Sequence, residues 1–318
     1  MNAASPSFLY SLYGRAVDCD IELPFVPRAS TPAAPDIELR LRTESVRDAP
    51  RDLTRWFESE ATEDGSSLAI DRTGEGDLVM SFTDGTSFRV SSEGCSVALL
   101  TAPAQYTPGD LAAYALGPVL ALALHQRGAT LLHASAVVIG GHAVLFAGAS
   151  GSGKSTVAAI LHQQGYAVLS DDLTEVSGDP PAALPSVPAI RLWPDVVNAL
   201  YGPGAAFPDR APSWDKKMVA IAGTRMDSHA HPIAAVLFLE RRGEGPRLER
   251  LGAKDSWMRL IAHSYTARLP DRSMAASILN MTTALANRVP ASAFSAPSIL
   301  NCAGLGAFLE RELAGHLR

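Results

Sequence analysis

The sequence is poor in cysteine and in charged side chains. Its 318 residues include three cysteines (Cys19, Cys95 and Cys302), which lie far apart and form no CxxC pair. This pattern argues against both a disulfide framework and a structural zinc site. Only 19% of the residues are charged and 47% are apolar. The chain can therefore bury a large core, and this composition excludes wholesale disorder.

Long apolar runs and basic blocks are also absent. Residues 111–124 are the most apolar stretch, but they are shorter than the roughly 20 residues that span a bilayer. Gly117 and Pro118 interrupt them, which predicts a buried helix with a kink at the proline. Residues 1–10 do not have the pattern of a signal peptide. We therefore expect a cytoplasmic protein without a membrane partner. A net charge of −6 with no basic block argues against a nucleic-acid partner.

The pattern of short elements changes along the chain, and its length suggests two domains. Residues 37–41 alternate with period two, and two strand-like runs at 67–71 and 78–82 precede the turn Asp84-Gly85. We predict a small β-rich domain over residues 1–105. From residue 106 to 318, helical patterns alternate with strand patterns. The fold class is therefore expected to be α/β, or α+β over the whole chain, with a mixed sheet and flanking helices in the second domain.

A phosphate-binding loop is the strongest motif. The segment GASGSGKS at residues 148–155 matches the pattern GxxxxGK[ST], and it lies between a strand-like run and a helical pattern that ends at Gly165. Glycines let the backbone N–H groups surround a phosphate, Lys154 adds positive charge, and the Ser155 hydroxyl suits Mg²⁺. ATP and Mg²⁺ are the expected ligands. The predicted nucleotide-binding residues are Gly148, Ser150, Gly151, Ser152, Gly153, Lys154, Ser155 and Thr156.

Two acids and a histidine accompany this loop. The apolar run 166–170 ends in Asp171-Asp172, so one carboxylate can serve the metal while the other accepts a proton. The alternative is that one aspartate only caps a turn. His133 lies in a strand-like run that is a candidate neighbour of the loop strand, although a lone histidine there is commonly a core residue.

Residues 133–172 resemble the catalytic domain of HPr kinase/phosphorylase, a bacterial serine kinase whose phosphate-loop fold is shared with phosphoenolpyruvate carboxykinase. The resemblance is carried by His133, the GxSGxGKS loop, Gly165 and the Asp171-Asp172 pair, at family-like spacing. It implies that Asp171 is the general base toward an acceptor serine. It also implies that Asp172 and Ser155 bind the metal and that His133 is hydrogen-bonded to the aspartate pair.

The resemblance weakens after Asp172. HPr kinases carry a Glu-Ile-Arg-Gly segment whose Glu helps to bind metal, whereas this chain has Ala189-Ile190-Arg191-Leu192. Arg191 is retained as a candidate catalytic or substrate contact. Short motifs such as Tyr13-Gly14, residues 191–195 and residues 215–217 resemble HPr-kinase-related proteins found with ribosomal peptide clusters. Some members of that branch phosphorylate the C-terminal serine of a lasso-peptide precursor.

Lys216 stands in a sequence that reads as a polar loop, and we predict it as a substrate-binding cation. Trp193 reads as a packing residue. The expected function is a Mg²⁺-dependent kinase for a serine of a peptide or protein, with a lasso-peptide precursor as the expected partner. Alternatives are an HPr-type regulatory kinase, an ATP-binding regulator without efficient transfer, and a small-molecule kinase. Assembly into a homo-oligomer is left open.

Overall fold

The structure is a computed structural model. The residues it describes are 7–24, 26–29, 33–42, 50–60, 67–211, 214–221, 229–240, 245–265, 269, 271–296 and 304–317. Side chains at positions 209–211, 214, 215 and 273 lie outside this description, as do Cys302 and the rest of residues 297–303. The chain forms two compact units. The first contains residues 1–129, 211–213 and 268–271, and the second contains residues 130–210, 214–267 and 272–318.

The first unit is built on one sheet with strand order β1-β2-β3-β8-β7-β6-β5-β4. Its strands are β1 (Phe8–Leu12), β2 (Arg15–Cys19), β3 (Ile37–Arg40), β4 (Leu53–Glu58), β5 (Leu68–Thr73), β6 (Leu78–Phe82), β7 (Ser87–Val90) and β8 (Ser96–Thr101). The predicted turn at Asp84-Gly85 joins β6 and β7, where the Asp84 carboxylate accepts a hydrogen bond from the Thr86 N–H at 2.8 Å. A β-rich N-terminal region is thus confirmed.

The helical region that follows β8 belongs to this first unit. It consists of α1 (Pro108–Tyr114), a π-helical turn (Ala115–Val119) and α2 (Leu120–Gln126). Gly94, in the turn before β8, has a φ of +66°, and a Cβ there would lie 2.1 Å from the Ala123 carbonyl oxygen of α2. Tyr114 packs on Phe82 with ring centroids 4.6 Å apart. These contacts explain why the division follows Ala129, whereas the sequence predicted a boundary at residue 105.

The predicted kink in this apolar stretch has a specific geometry. Gly117 departs from helical backbone angles, with φ −113° and ψ −113°, immediately before Pro118. Proline cannot donate an intrahelical hydrogen bond, so the widened turn accommodates the break. In the part of the chain that the structure describes, no helix combines the length and apolarity needed to cross a membrane.

The remaining elements belong to the second unit, apart from Ala211 at the end of β16, which is grouped with the first. They are β9 (Thr130–Leu132), β10 (Ala134–Ile139), β11 (His142–Ala147), α3 (Lys154–Gln163), β12 (Ala167–Ser170), β13 (Thr174–Ser177), β14 (Ala182–Ala183), β15 (Ala189–Leu192), α4 (Pro194–Tyr201), β16 (Asp209–Ala211), β17 (Trp214–Ala220), β18 (His231–Glu240), β19 (Arg247–Arg250), α5 (Ala253–Ala262), α6 (Arg272–Arg288), β20 (Ala291–Ser295) and α7 (Leu305–Leu313). The mixed α/β fold class is thus confirmed.

The main sheet of this unit has the order β12-β10-β11-β18-β14-β13-β9, and β20 also pairs with β18. The strand before the phosphate loop, β11, is parallel to β18 and antiparallel to β10. Helix α3 packs its Val157 and Leu161 side chains into a buried cluster with Phe146 and Leu237. A second, smaller sheet has the order β15-β17-β16. The phosphate loop therefore follows a central strand that is buried on both faces.

Two predicted elements differ in the structure. The apolar run 130–138 is divided into β9 and β10, with a bend at His133 between them. The sequence pattern of residues 256–269 predicts a helix, but α5 ends at Ala262, and Ser264 then forms an antiparallel bridge with Leu132. Backbone pairing with β9 has replaced the helical hydrogen bonds at this end, which the local helical pattern could not indicate.

Candidate active site

The phosphate loop has the strand–loop–helix geometry that the sequence predicted. It follows β11 and leads into α3, whose N-cap residue Gly153 has a left-handed φ of +103°. At Gly148, φ is +153°, and a Cβ would lie 2.7 Å from the Ser152 Oγ. A side chain at Gly148 would therefore displace the loop. The positive end of α3 and the N–H groups of the loop give this segment the properties of an anion-binding site.

Lys154 opens α3 and is almost completely buried. Its ammonium group donates hydrogen bonds to the carbonyl oxygens of Gly148 (2.9 Å) and Ala149 (3.0 Å). Burial lowers the pKa of Lys154, whereas the nearby carboxylates of Asp172 and Asp171 act in the opposite direction. The lysine ammonium is thus held against the loop whose bound phosphates it is expected to contact.

The sheet topology brings His133 and the aspartate pair to the same edge as the loop. Strand β10 is antiparallel to both β11 and β12, so these two strands run in the same direction. Their carboxyl ends, which lead to the phosphate loop and to Asp171, share one edge. Ala134 pairs with Ala147, which places His133 between the two ends. The strand with the aspartates is not the direct neighbour of the loop strand, because β10 separates them.

Asp171 is buried, with 4% of its surface exposed. Its Oδ1 accepts a hydrogen bond from the Ser135 hydroxyl at 2.7 Å, and its Oδ2 accepts one from the Arg191 backbone N–H at 2.9 Å. Both carboxylate oxygens are therefore engaged by protein donors, and Asp171 does not line the cavity at the loop. This geometry suits a residue that positions its neighbours.

Asp172 does line the cavity. Its Oδ2 lies 2.6 Å from the Arg191 Nη1, and its Oδ1 lies 3.3 Å from the His133 Nε2. The residue has a left-handed φ of +74°, a conformation that aspartate tolerates better than most residues and that commonly marks functional sites. Asp172 is therefore the member of the aspartate pair whose carboxylate lies next to His133.

One cavity of about 300 Å³ brings most of the predicted residues together. Its lining residues are His133, Ser150, Gly151, Gly153, Lys154, Ser155, Thr156, Asp172, Arg191, Leu192, Trp193, Asp195, Val196 and Lys216. Gly148, Ser152 and Asp171, also predicted as site residues, lie outside the lining. The Ser152 Oγ is buried, and Gly148 lies against it.

Two histidines lie close to these charges. Burial lowers the pKa of His133, and the positive charges of Lys154 and Lys216 act in the same direction, while Asp172 opposes them. His263, whose carbonyl oxygen accepts the His133 backbone N–H at 2.8 Å, stacks on Phe238. Burial, followed by the charges of Lys154 and His133, lowers the pKa of His263 to about 4. Both lowered pKa values favour neutral imidazole rings beside the loop at neutral pH.

Lys216 lies in strand β17, not in the polar loop that its sequence context suggested. Pairing with β15 explains the difference, because it aligns Lys217 with Leu192 and so carries Lys216 to the end of β15. The Lys216 ammonium lies 5.2 Å from the ring centroid of Trp193. Trp193 was expected to be a packing residue, but 48% of its surface is exposed and it lines the cavity.

The donor atoms in the cavity fit a Mg²⁺–nucleotide complex. The Ser155 hydroxyl and the Asp172 carboxylate supply hard oxygen ligands, and both residues line the cavity together with Lys154. Mg²⁺ in phosphoryl-transfer sites is commonly held by one or two such oxygens, by phosphate oxygens and by water. Ala189 is buried in β15 and offers no ligand atom in its side chain.

Sequence reasoning missed three residues around this site. Ser135 stands two positions after His133, and the period-two alternation of a strand was a signal that both could face the same side. Asp195 lines the cavity from the first turn of α4, directly after the Trp-Pro pair. His263 is distant in sequence, and no local motif marked it.

No family model matches the chain, and no match was found among curated proteins. Among solved structures, the chain is similar to the HPr(Ser) kinase/phosphatase from Coxiella burnetii, with 16% sequence identity and a TM-score of 0.31. The match covers 58% of this chain and 89% of that chain. The residues of the cavity, and not this likeness, are the basis for the function proposed below.

Proposed function

We propose that the protein is a Mg²⁺-dependent kinase that transfers the γ-phosphoryl group of ATP to a serine hydroxyl of a peptide or protein. The observation that carries this proposal is the single cavity where the phosphate loop meets Asp172 and Arg191. A nucleotide-binding protein needs only the loop, whereas a carboxylate and a guanidinium beside the loop supply the groups that phosphoryl transfer uses.

The loop N–H groups and Lys154 would bind the phosphates, and Ser155 and Asp172 would hold Mg²⁺. When bound, the metal supplies positive charge that neutralises the phosphate oxygens. Arg191, through its guanidinium, would offset charge on the group in transfer and hold Asp172 in place. In the reaction, a bond forms between the serine oxygen and the γ-phosphorus. The bond to the oxygen that bridges the β- and γ-phosphorus atoms breaks, and ADP leaves.

The serine proton needs an acceptor that the substrate can reach. The resemblance implies Asp171 for this role, but Asp171 is buried and does not line the cavity. Asp172 lines the cavity, so we assign Mg²⁺ to one oxygen of its carboxylate and the serine proton to the other. Asp171 is then a positioning residue, which orients Arg191 through its backbone N–H.

The finer substrate assignment is also a proposal. The motifs shared with HPr-kinase-related proteins favour the C-terminal serine of a lasso-peptide precursor as acceptor. An HPr-type protein substrate and a small hydroxyl compound are the alternatives.

Labelled ATP and Mg²⁺ provide the test. The wild-type protein is incubated with serine-containing peptides, including candidate precursors, and phosphoserine is located by mass spectrometry. We expect transfer by the wild type and none by Lys154→Met. Binding of ATP without labelling of any acceptor would contradict the proposal and would support the second candidate.

That second candidate is a nucleotide-dependent regulator without efficient transfer. The specific observations that favour it are the burial of Asp171 and the absence of an acid at Ala189. The proximity of Asp172, Arg191 and Lys154 in one cavity favours the kinase.

A further inference from the structure

Trp193 and Lys216 line the same cavity as the phosphate loop but belong to other elements. Trp193 is the residue before α4, and its side chain makes no capping hydrogen bond to that helix. Lys216 lies in β17, with its ammonium group 5.2 Å from the centre of the Trp193 ring. This distance is within the range of a cation–π contact, which orients the lysine over the aromatic face.

The exposure of Trp193 is unusual for so large an apolar side chain. Burial of a tryptophan side chain stabilises a fold substantially. Yet 48% of the Trp193 surface is exposed, and the side chain forms part of the cavity wall. Ligand pockets are lined mainly by apolar and aromatic side chains. The local fold therefore keeps an apolar surface beside a group of charges.

Among the described residues, the Lys216 ammonium has no carboxylate within ion-pair distance. Lys154 donates to two loop carbonyl oxygens, and Arg191 forms an ion pair with Asp172. Lys216, by contrast, forms no ion pair with any side chain that the structure describes. A lysine with three available donors on a cavity wall is suited to an anionic group of a ligand.

We propose that Trp193 and Lys216 form the acceptor subsite of the kinase and bind a carboxylate that the acceptor carries close to its hydroxyl. The apolar part of the acceptor next to this carboxylate packs on Trp193. The inference rests on the proposed function, which it extends to the chemical class of the acceptor. A serine with a free α-carboxylate is one such group, and an adjacent acidic side chain is another.

The nucleotide is the other source of anionic groups. The phosphates already have the loop N–H groups, the N-terminus of α3 and Lys154, all of which belong to one continuous segment. The face of an indole ring carries no positive charge for a phosphate and the ring has only one N–H donor, whereas its apolar surface suits the aliphatic part of a peptide residue. The pairing of Trp193 with Lys216 thus favours the acceptor, and not the nucleotide, as the ligand of these two side chains.

Binding of matched peptides tests the proposal without requiring turnover. The probes are the tripeptides acetyl-Ala-Leu-Ser and acetyl-Leu-Ser-Asp-amide, with acetyl-Ala-Leu-Ser-amide as the uncharged partner. Their dissociation constants are measured by calorimetry on the full chain with Mg²⁺ and ADP. We expect the wild type to bind at least one carboxylate peptide about tenfold to a hundredfold more tightly than the amide, the range for a hydrogen bond to a charged group.

Lys216→Met should abolish this preference, and Lys216→Arg should retain most of it. Trp193→Ala should weaken the binding of all three peptides. Lys217→Met is the matched control in the same strand and should behave as the wild type.

The dissociation constant of ADP should be unchanged in Lys216→Met. Equal or absent binding of the three peptides by the wild type would overturn the proposal. Weaker ADP binding by Lys216→Met with an unchanged peptide preference would also overturn it.

The two proposals can fail separately. If the carboxylate peptides bind through Lys216 but are not phosphorylated with ATP, the subsite stands and the kinase function fails. If peptides are phosphorylated while Lys216→Met and Trp193→Ala leave the KM for the peptide unchanged, the kinase stands and the subsite fails.

Discussion

Arg191 holds Asp172 in an ion pair, with its Nη1 2.6 Å from the carboxylate Oδ2. The backbone N–H of the same arginine donates to the Oδ2 of Asp171 at 2.9 Å. One residue of β15 therefore contacts both adjacent carboxylates, each through a different chemical group. This arrangement separates the two aspartates, because Asp171 is fixed inside the unit while Asp172 lines the cavity.

The separate roles of the two aspartates give the first prediction. Asp172→Asn should lower kcat about 10²-fold to 10⁴-fold, the usual contribution of a proton acceptor, and should also weaken Mg²⁺-dependent ATP binding, because Asp172 is assigned to the metal as well. Asp171→Asn should lower both kcat and the melting temperature, because it disturbs the hydrogen bonds from Ser135 and Arg191. Steady-state kinetics, nucleotide titration and thermal denaturation measure these effects. Loss of transfer in Asp171→Asn at an unchanged melting temperature, with activity retained in Asp172→Asn, would return the base to Asp171.

Removal of the Ser135 hydroxyl should destabilise the second unit. Ser135→Ala leaves the buried Oδ1 of Asp171 without its 2.7 Å donor. We expect the free energy of unfolding to fall by about 1–3 kcal/mol, the usual result of leaving a buried polar group unpaired. Urea denaturation followed by circular dichroism is the measurement. Ser177→Ala, at an exposed position in β13, is the control and should leave the midpoint unchanged.

Lys154 should be required for nucleotide affinity. Lys154→Met removes the ammonium group while keeping most of the aliphatic chain, so the loop loses its charge toward the β- and γ-phosphates. We expect ATP binding to weaken at least about tenfold, since charge-assisted hydrogen bonds contribute about 1.5–3 kcal/mol. Titration with a fluorescent ATP analogue measures the effect. Lys254→Met, which removes an exposed lysine at the start of α5, should bind as the wild type.

The lowered pKa of His263 predicts a specific dependence of stability on pH. The folded-state pKa is about 4, whereas an unfolded histidine has a pKa of about 6.5. Between these values the unfolded chain takes up a proton that the folded chain excludes, so stability falls as the pH falls from 6.5 toward 4. Above pH 6.5 this contribution is fully present.

Replacing His263 should therefore make the melting temperature depend less on pH between pH 7.5 and pH 5. Melting temperatures of the wild type and His263→Gln are compared between pH 7.5 and pH 5, and the wild type should lose more stability on acidification. His316→Gln, which changes an exposed histidine after α7, should follow the wild type. Parallel profiles for the wild type and His263→Gln would contradict the assigned pKa shift.

Local sequence determined the parts of the fold whose interactions are short in range. The phosphate loop was predictable because its glycines, its lysine and the flanking strand and helix lie within about one supersecondary unit. The β-rich start and the Asp84-Gly85 turn were likewise visible in period-two alternation and turn chemistry. The boundary at residue 105 stays a prediction, while the structure groups α1 and α2 with the first unit. The packing of α2 against Gly94 joins residues that are distant in sequence.

The sequence by itself established a phosphate loop, a following strand that ends in two aspartates, and a histidine that precedes them. Only the tertiary structure decided which of these groups meet in the cavity. The order β12-β10-β11 placed His133 between the loop and the aspartates, and pairing of β15 with β17 brought Trp193 and Lys216 to them. Strand pairing between distant segments sets these positions. Burial then gives different surroundings to two chemically identical neighbours, Asp171 and Asp172. Neither effect is encoded in a local motif.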